Sequence, residues 1–347
     1  MPKTNNTDAG GTGDRAAAAA AAAGAGDGGN IRSAAVTTEA VAEWTVADMA
    51  EAEPYPLPEV SDEDLRAFAQ GVAGQIAGPA DQGAGQADAG GLPAGGTAQA
   101  PADEETLAGG YGYPAPFTRF EVPFPYTDYP FVTIGKVFFT QNGGRYVASA
   151  ASIGNYAILT AGHVVHAGNG QPSGWSTNLT FVPAYKDNAA PLGQWKASWL
   201  ATRTTWYNNG NPGGLTEDMG GAVLQTLNGR KISDVVGWLG FAWNWPREQH
   251  WFEFGYPAAA PFNGQRLNCA AASYAYDGAV PGIPPVATGS DLTGGCSGGP
   301  WVRGCFTGNW ANGVNSYRNT SRPLEMNSPY FDDRAKSIKD FLVGGTP

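Results

Sequence analysis

The sequence predicts an all-β barrel or sandwich from about Phe117 onward, closed by one helix and preceded by an arm that does not fold by itself. Three observations carry this. Short β-type runs recur at residues 136–140, 146–150, 156–160, 179–185, 222–225, 235–241, 251–256 and 312–317, separated by Gly, Asn and Pro with no helical periodicity between them. Across residues 331–342, Phe331, Ala335, Ile338, Phe341 and Leu342 fall on one helical face. Residues 1–37 and 71–110 are rich in Gly, Ala, Asp, Gln and Pro, a composition that buries too little apolar surface to offset the cost of ordering.

Within the arm, Thr45 with Asp48 three residues on marks a helix start, and Pro54 a stop. The 347 residues suffice for two domains, or for one domain and a long appendage. Eleven Trp can furnish a large core, and the 15% of charged residues is well below the usual quarter. Residues 1–116 hold 17 acidic and 4 basic side chains, and residues 117–347 hold 14 and 16, so the acidity behind the net charge of −11 lies in the arm. Neither part has the strongly basic face of a nucleic-acid binder. No run of 18 strongly apolar residues occurs, so no membrane span is expected. The alanine run 16–23 is the sole candidate for the apolar centre of a signal peptide, and with Asp8, Asp14 and Asp27 around it the run reads better as a low-complexity tract.

The chemistry lies in the second part. His163 stands where an apolar strand gives way to the small residues Ala161 and Gly162, which would let it face a cleft. Ser297 is flanked by Gly294, Gly295, Gly298 and Gly299, residues that let a backbone turn tightly and expose its N–H groups, as a nucleophile with an oxyanion hole needs. The Gly295 and Ser297 amides are the candidate oxyanion donors. Every His precedes Ser297, which excludes the chain order of an α/β-hydrolase. The order His, Asp, Ser remains. Asp218 is the best placed acid because it leads directly into an apolar strand, whereas Asp187 sits in a polar turn. His163 and His166 together lack a third metal ligand, so no metal and no cofactor are expected.

Thr160-Ala-Gly-His163, Asp218-Met-Gly-Gly-Ala-Val-Leu224 and Gly295-Cys-Ser-Gly-Gly-Pro300 resemble, in order, the His, Asp and Ser motifs of the chymotrypsin/trypsin family. Lys136-Val-Phe-Phe, Gly255-Tyr-Pro257 and Gly294-Gly-Cys-Ser-Gly-Gly-Pro-Trp301 are similar to stretches of the secreted bacterial and fungal trypsin-like and glutamyl-endopeptidase-like enzymes, and Trp44-Thr-Val-Ala-Asp-Met resembles a pro-segment motif of that group. The resemblance spans about residues 117–347. It implies two antiparallel Greek-key β-barrels, at 116–228 and 229–347, with the C-terminal helix in the second and a largely disordered pro-segment over 1–115. It further implies a secreted, monomeric serine endopeptidase acting on protein or peptide substrates, with no nucleic-acid or membrane partner. His163 would act as general base, Asp218 would orient it, and Ser297 would attack the carbonyl.

The chain departs from that family in places. Cys296 replaces the Asp that receives a new N-terminus in trypsin, and Ala148 and Val164 stand where the disulfide beside the catalytic His would be. Asp291, six residues before Ser297, corresponds to the carboxylate at the base of trypsin's primary pocket, so cleavage after Arg or Lys is expected. Asn315 stands where the glutamyl-specific relatives carry a His, and Arg318 could fold over Asp291. Of the three cysteines, Cys269 and Cys296 are expected to be bridged, with Cys305 free. Two other readings of the same residues are a catalytically silent binding protein of this fold and a protease that uses Cys296.

Overall fold

The computed structural model describes residues 30–36, 43–72, 85–92 and 110–347. The alanine run 16–23 and most of the low-complexity sequence lie outside them.

Six strands close into an antiparallel barrel in the order Trp195–Arg203, Gly220–Leu224, Ala157–Thr160, Gly144–Gly154, Ile134–Gln141 and Thr177–Pro183, the last pairing back to the first. Ile134–Gln141 shows why these residues make strands. Val137, Phe138 and Phe139 are all fully buried, one face filling the barrel and the other covered from outside by Trp44, whose ring lies 5.4 Å from that of Phe138. Burying each such side chain contributes about 1.5–3 kcal/mol.

A second sheet runs Glu325–Ser328, Val286–Gly289, Asn268–Asp277, His250–Gly255, Pro300–Arg303, Trp310–Val314, Gly240–Trp243 and Gln86–Asp88, and Phe117–Glu121 also pairs with Asn268–Asp277. Its pairs are antiparallel apart from Gly240–Trp243, which runs parallel to Trp310–Val314. The opening strand of the 116–228 segment therefore joins the second sheet. The C-terminal helix Asp333–Gly344, which buries Ala335, Ile338 and Leu342, packs on the first barrel.

One local expectation is corrected, and the arm adds detail to another. Residues 235–241 do not form one strand. Lys231 N–H donates to the Asp234 carboxylate and starts the helix Ile232–Val236, Gly237 ends it at φ 70°, and the strand begins at Gly240. The arm, expected to be largely disordered, also contains ordered segments. Ile31–Ala35 extends the first sheet by pairing with Trp195–Arg203, Gln86–Asp88 pairs with Gly240–Trp243, and helices form at Val46–Glu51 and Asp62–Gly71. Thr45 caps the first helix through Asp48, as its spacing predicted. The two strands satisfy their backbone groups against strands of a folded sheet, an option that composition alone does not reveal.

Candidate active site

The motifs separated in sequence meet at the junction of the two sheets. Gly220–Leu224 pairs antiparallel with Ala157–Thr160, Gly220 opposite Thr160. That register sets Asp218, just before the first strand, beside the one-turn helix Gly162–Val165 that follows the second. Asp218 is fully buried and its carboxylate is shared three ways. Oδ1 accepts the His163 backbone N–H at 2.7 Å, and Oδ2 accepts His163 Nδ1 at 2.7 Å and the Ser316 hydroxyl at 2.6 Å. With Asp218 as acceptor, Nδ1 carries the ring proton and Nε2 presents its lone pair. Asp187 lies elsewhere, paired with Arg266 on the surface at 2.8 Å.

Ser297 sits on a loop clamped from both sheets. Ser149 N–H donates to Ser297 O at 2.8 Å, Ser149 Oγ donates to Gly295 O at 2.9 Å, and Gly298 N–H donates to Asn315 O at 2.8 Å. Gly295 has φ 96° and Gly298 has φ 75°, and a β-carbon at Gly298 would collide with Thr160 Oγ1. Both positions therefore require glycine. Ser297 Oγ and His163 Nε2 are buried, and neither has a hydrogen-bond partner among the described residues. The Gly295 amide, one of the two expected oxyanion donors, points at a carbonyl of the arm, Tyr55 O, at 3.0 Å.

The remaining expected residues fall as follows. Asp291 is in an ion pair with Arg119 at 3.0 Å, with both side chains partly exposed. Asn315 is buried and fully engaged. Its Nδ2 donates to Phe254 O at 2.9 Å and Cys296 O at 3.0 Å, and its Oδ1 accepts from Trp301 Nε1 at 2.9 Å. It braces the loop that carries Ser297. Arg318 does not reach Asp291. Its guanidinium donates to the carbonyls of Glu325 and Leu292. His166 is held by Gln171 O and Gly168 N–H and stacks on Tyr207, which makes it a packing residue.

The expected Cys269–Cys296 bridge is absent, and all three cysteines are buried free thiols. Cys269 packs in the apolar cluster that includes Cys305, whereas Cys296 belongs to a separate one with Leu292 and Trp301, so Cys269 and Cys296 face different interiors. Burial pushes the Cys296 thiol up to about 12, so it is protonated at neutral pH and unsuited to attack. Sequence reading missed Ser316, a third partner of Asp218, and Tyr55, which stacks on His163. The alternation of proline around Tyr55 was a usable signal for an extended segment.

Glu253 is wholly buried and hydrogen-bonded to Thr288 Oγ1, and its Oε2 has no partner among the described residues. Desolvation raises it to about 8 from 4.5. Between those values the folded state holds a proton that the unfolded state has released, so stability falls as pH rises. Glu253→Gln is expected to flatten this slope. Urea unfolding at pH 5 and pH 8 should show a smaller loss of stability at pH 8 in the variant than in wild type, and an unchanged slope would contradict burial of the acid.

No family profile and no curated protein sequence matches the chain. Solved structures do. The protease Anisep from Arthrobacter nicotinovorans is 37% identical over 62% of this chain and 96% of its own length, with a TM-score of 0.56. The thermostable serine protease AL20 from an extremophilic microorganism is 36% identical over 62% of this chain and 98% of its own, with a TM-score of 0.57. A Glu endopeptidase shares the fold at 16% identity, over 65% of this chain and 97% of its own, with a TM-score of 0.52.

Proposed function

Because the chain belongs to the chymotrypsin/trypsin-like family of serine proteases, hydrolases that act on peptide bonds, we propose that it is an endopeptidase with His163, Asp218 and Ser297 as its triad. Ser297 attacks the carbonyl, His163 Nε2 takes its proton and returns it to the leaving amine, and Asp218 fixes the tautomer and stabilises the imidazolium. The Gly295 and Ser297 amides receive the developing oxyanion. The observation that carries this reading is the buried Asp218 carboxylate, which accepts the His163 backbone N–H, the His163 Nδ1–H and the Ser316 hydroxyl and so holds the ring in one orientation. The protein acts as a secreted monomer on protein or peptide substrates, and residues 1–115 are a pro-segment removed from the two catalytic halves, 116–228 and 229–347. No helix among the described residues is long and apolar enough to cross a membrane.

For specificity, Asp291 selects Arg or Lys before the scissile bond. Its partner Arg119 is the competitor. An ion pair this exposed is worth at most about 1 kcal/mol, so a substrate guanidinium can displace it. Asp291→Ser should abolish the basic preference while slow general hydrolysis persists. Arg119→Ala should raise kcat/KM for Arg and Lys substrates up to about fivefold. Peptide-library cleavage by the processed protein tests both, and efficient cleavage after Glu, or after Phe and Leu alone, would refute the assignment.

A further inference from the structure

The arm crosses the site that the proposed triad would use. Glu53–Pro54 lies parallel to Tyr146 and Val147 of the first barrel, and Tyr55 N–H donates to Val147 O at 3.0 Å. The Tyr55 ring then covers His163, stacked at 5.7 Å with an interplanar angle of 11°, and its hydroxyl donates to Gln141, which itself donates to His163 O at 3.1 Å. The Tyr55 carbonyl takes the Gly295 amide, and a β-carbon at Gly294 would sit 2.9 Å from the same oxygen. Leu57 is buried in the apolar cluster of Leu292, Cys296 and Trp301 beside the nucleophile loop. Arg318 N–H donates to Pro58 O at 3.0 Å, and Glu59–Val60 continues parallel to Arg318–Asn319. Salt bridges from Arg145 to Asp48 and Glu51 anchor the segment's N-terminal side, and Asn319 bonds Asp62 at its C-terminal side at 2.6 Å.

We propose that residues 53–60 are a tethered inhibitor, a proline-alternating strap that fills the substrate cleft, caps His163 with Tyr55 and occupies the oxyanion amide with the Tyr55 carbonyl. Pro54, Pro56 and Pro58 fix φ at every second residue, so the strap is extended before it docks and loses little entropy in docking. With the strap in place, Ser297 Oγ and His163 Nε2 are shut off from solvent, and no proton relay runs between them. The carbonyl at the oxyanion amide belongs to the Tyr55–Pro56 bond, whose ring-locked nitrogen resists the rotation that expulsion of the amine requires. The strap therefore blocks the cleft without serving as a good substrate, and activation requires its release.

This inference rests on the proposed triad, and two readouts on the intact chain separate the failure of one from the failure of the other. Hydrogen exchange reads docking without chemistry. The Tyr55 and Arg318 amides are expected to be protected in wild type and to lose protection in Tyr55→Ala/Leu57→Ala. Labelling by a fluorophosphonate reads access to Ser297, and its rate should rise at least tenfold in that double variant. Arg145→Ala, a surface change that leaves the core intact, should give a severalfold rise by loosening the anchor, so the test does not depend on the folding of the double variant. Wild-type chain that labels as fast as the variants, or exchanges freely at Tyr55 and Arg318, would overturn the strap. An adduct on a residue other than Ser297 would count against the triad and leave the docking result standing.

Discussion

Ser297→Ala is expected to lower kcat by about 10⁶-fold on any peptide the processed enzyme cleaves, with KM little changed. The Ser297 hydroxyl is the proposed nucleophile, and the neighbouring Cys296 thiol is held protonated by burial. Removing Oγ touches none of the bonds that shape the loop, which run through the Ser149, Asn315 and Gly298 backbone and side-chain groups, so the variant should fold as wild type does. His163→Ala should cost about as much, and the double variant little more than either, since the residues act as a unit. Burst and steady-state kinetics on one peptide substrate check this. Additive losses in the double variant would mean that His163 and Ser297 do not work together.

Asp218→Asn should cost about 10⁴-fold in kcat, the penalty of the wrong tautomer. Asp218 Oδ2 accepts from both His163 Nδ1 and Ser316 Oγ, while Oδ1 accepts the His163 backbone N–H. An amide keeps one acceptor and introduces an N–H₂ donor, which must face one of these donors or make Nδ1 an acceptor. In the latter case the proton moves to Nε2 and the base is lost. Asp187→Asn should change kcat less than about twofold, because its carboxylate pairs with Arg266 at the surface. A crippled Asp187 variant beside a healthy Asp218 variant would reassign the acid.

The fold class was legible, and parts of the candidate site stand out locally. The loop of Ser297 and Gly298 stands out because a positive-φ turn restricts which residues can flank it, and the strand that begins at Gly220 marks Asp218 because one antiparallel register brings it to His163. The first-barrel strands with aromatic or β-branched runs, such as Ile134–Gln141, were readable by the same local rules. Asn268–Asp277 was not, because Cys269 to Ala272 are small side chains whose burial depends on neighbours distant in sequence. Trp195–Arg203 was obscured by Lys196 and Arg203, the latter buried only because Glu217 pairs with it at 2.8 Å. Asp291 likewise found a partner, Arg119, 172 residues away, and no local pattern encodes that ion pair. The ordered segments of the arm were the least legible. Its composition cannot sustain a core, yet segments of it order by completing the edges and cleft of a core that already exists.

The most direct test of the catalytic account is the location of the covalent adduct after treating the protein, with the arm removed, with a fluorophosphonate and mapping its peptides by mass spectrometry. The expected result is one adduct, on Ser297, absent from Ser297→Ala and reduced by several orders of magnitude in rate in His163→Ala. An adduct on Cys296 or another serine, or labelling of Ser297 at an undiminished rate without His163, would contradict it.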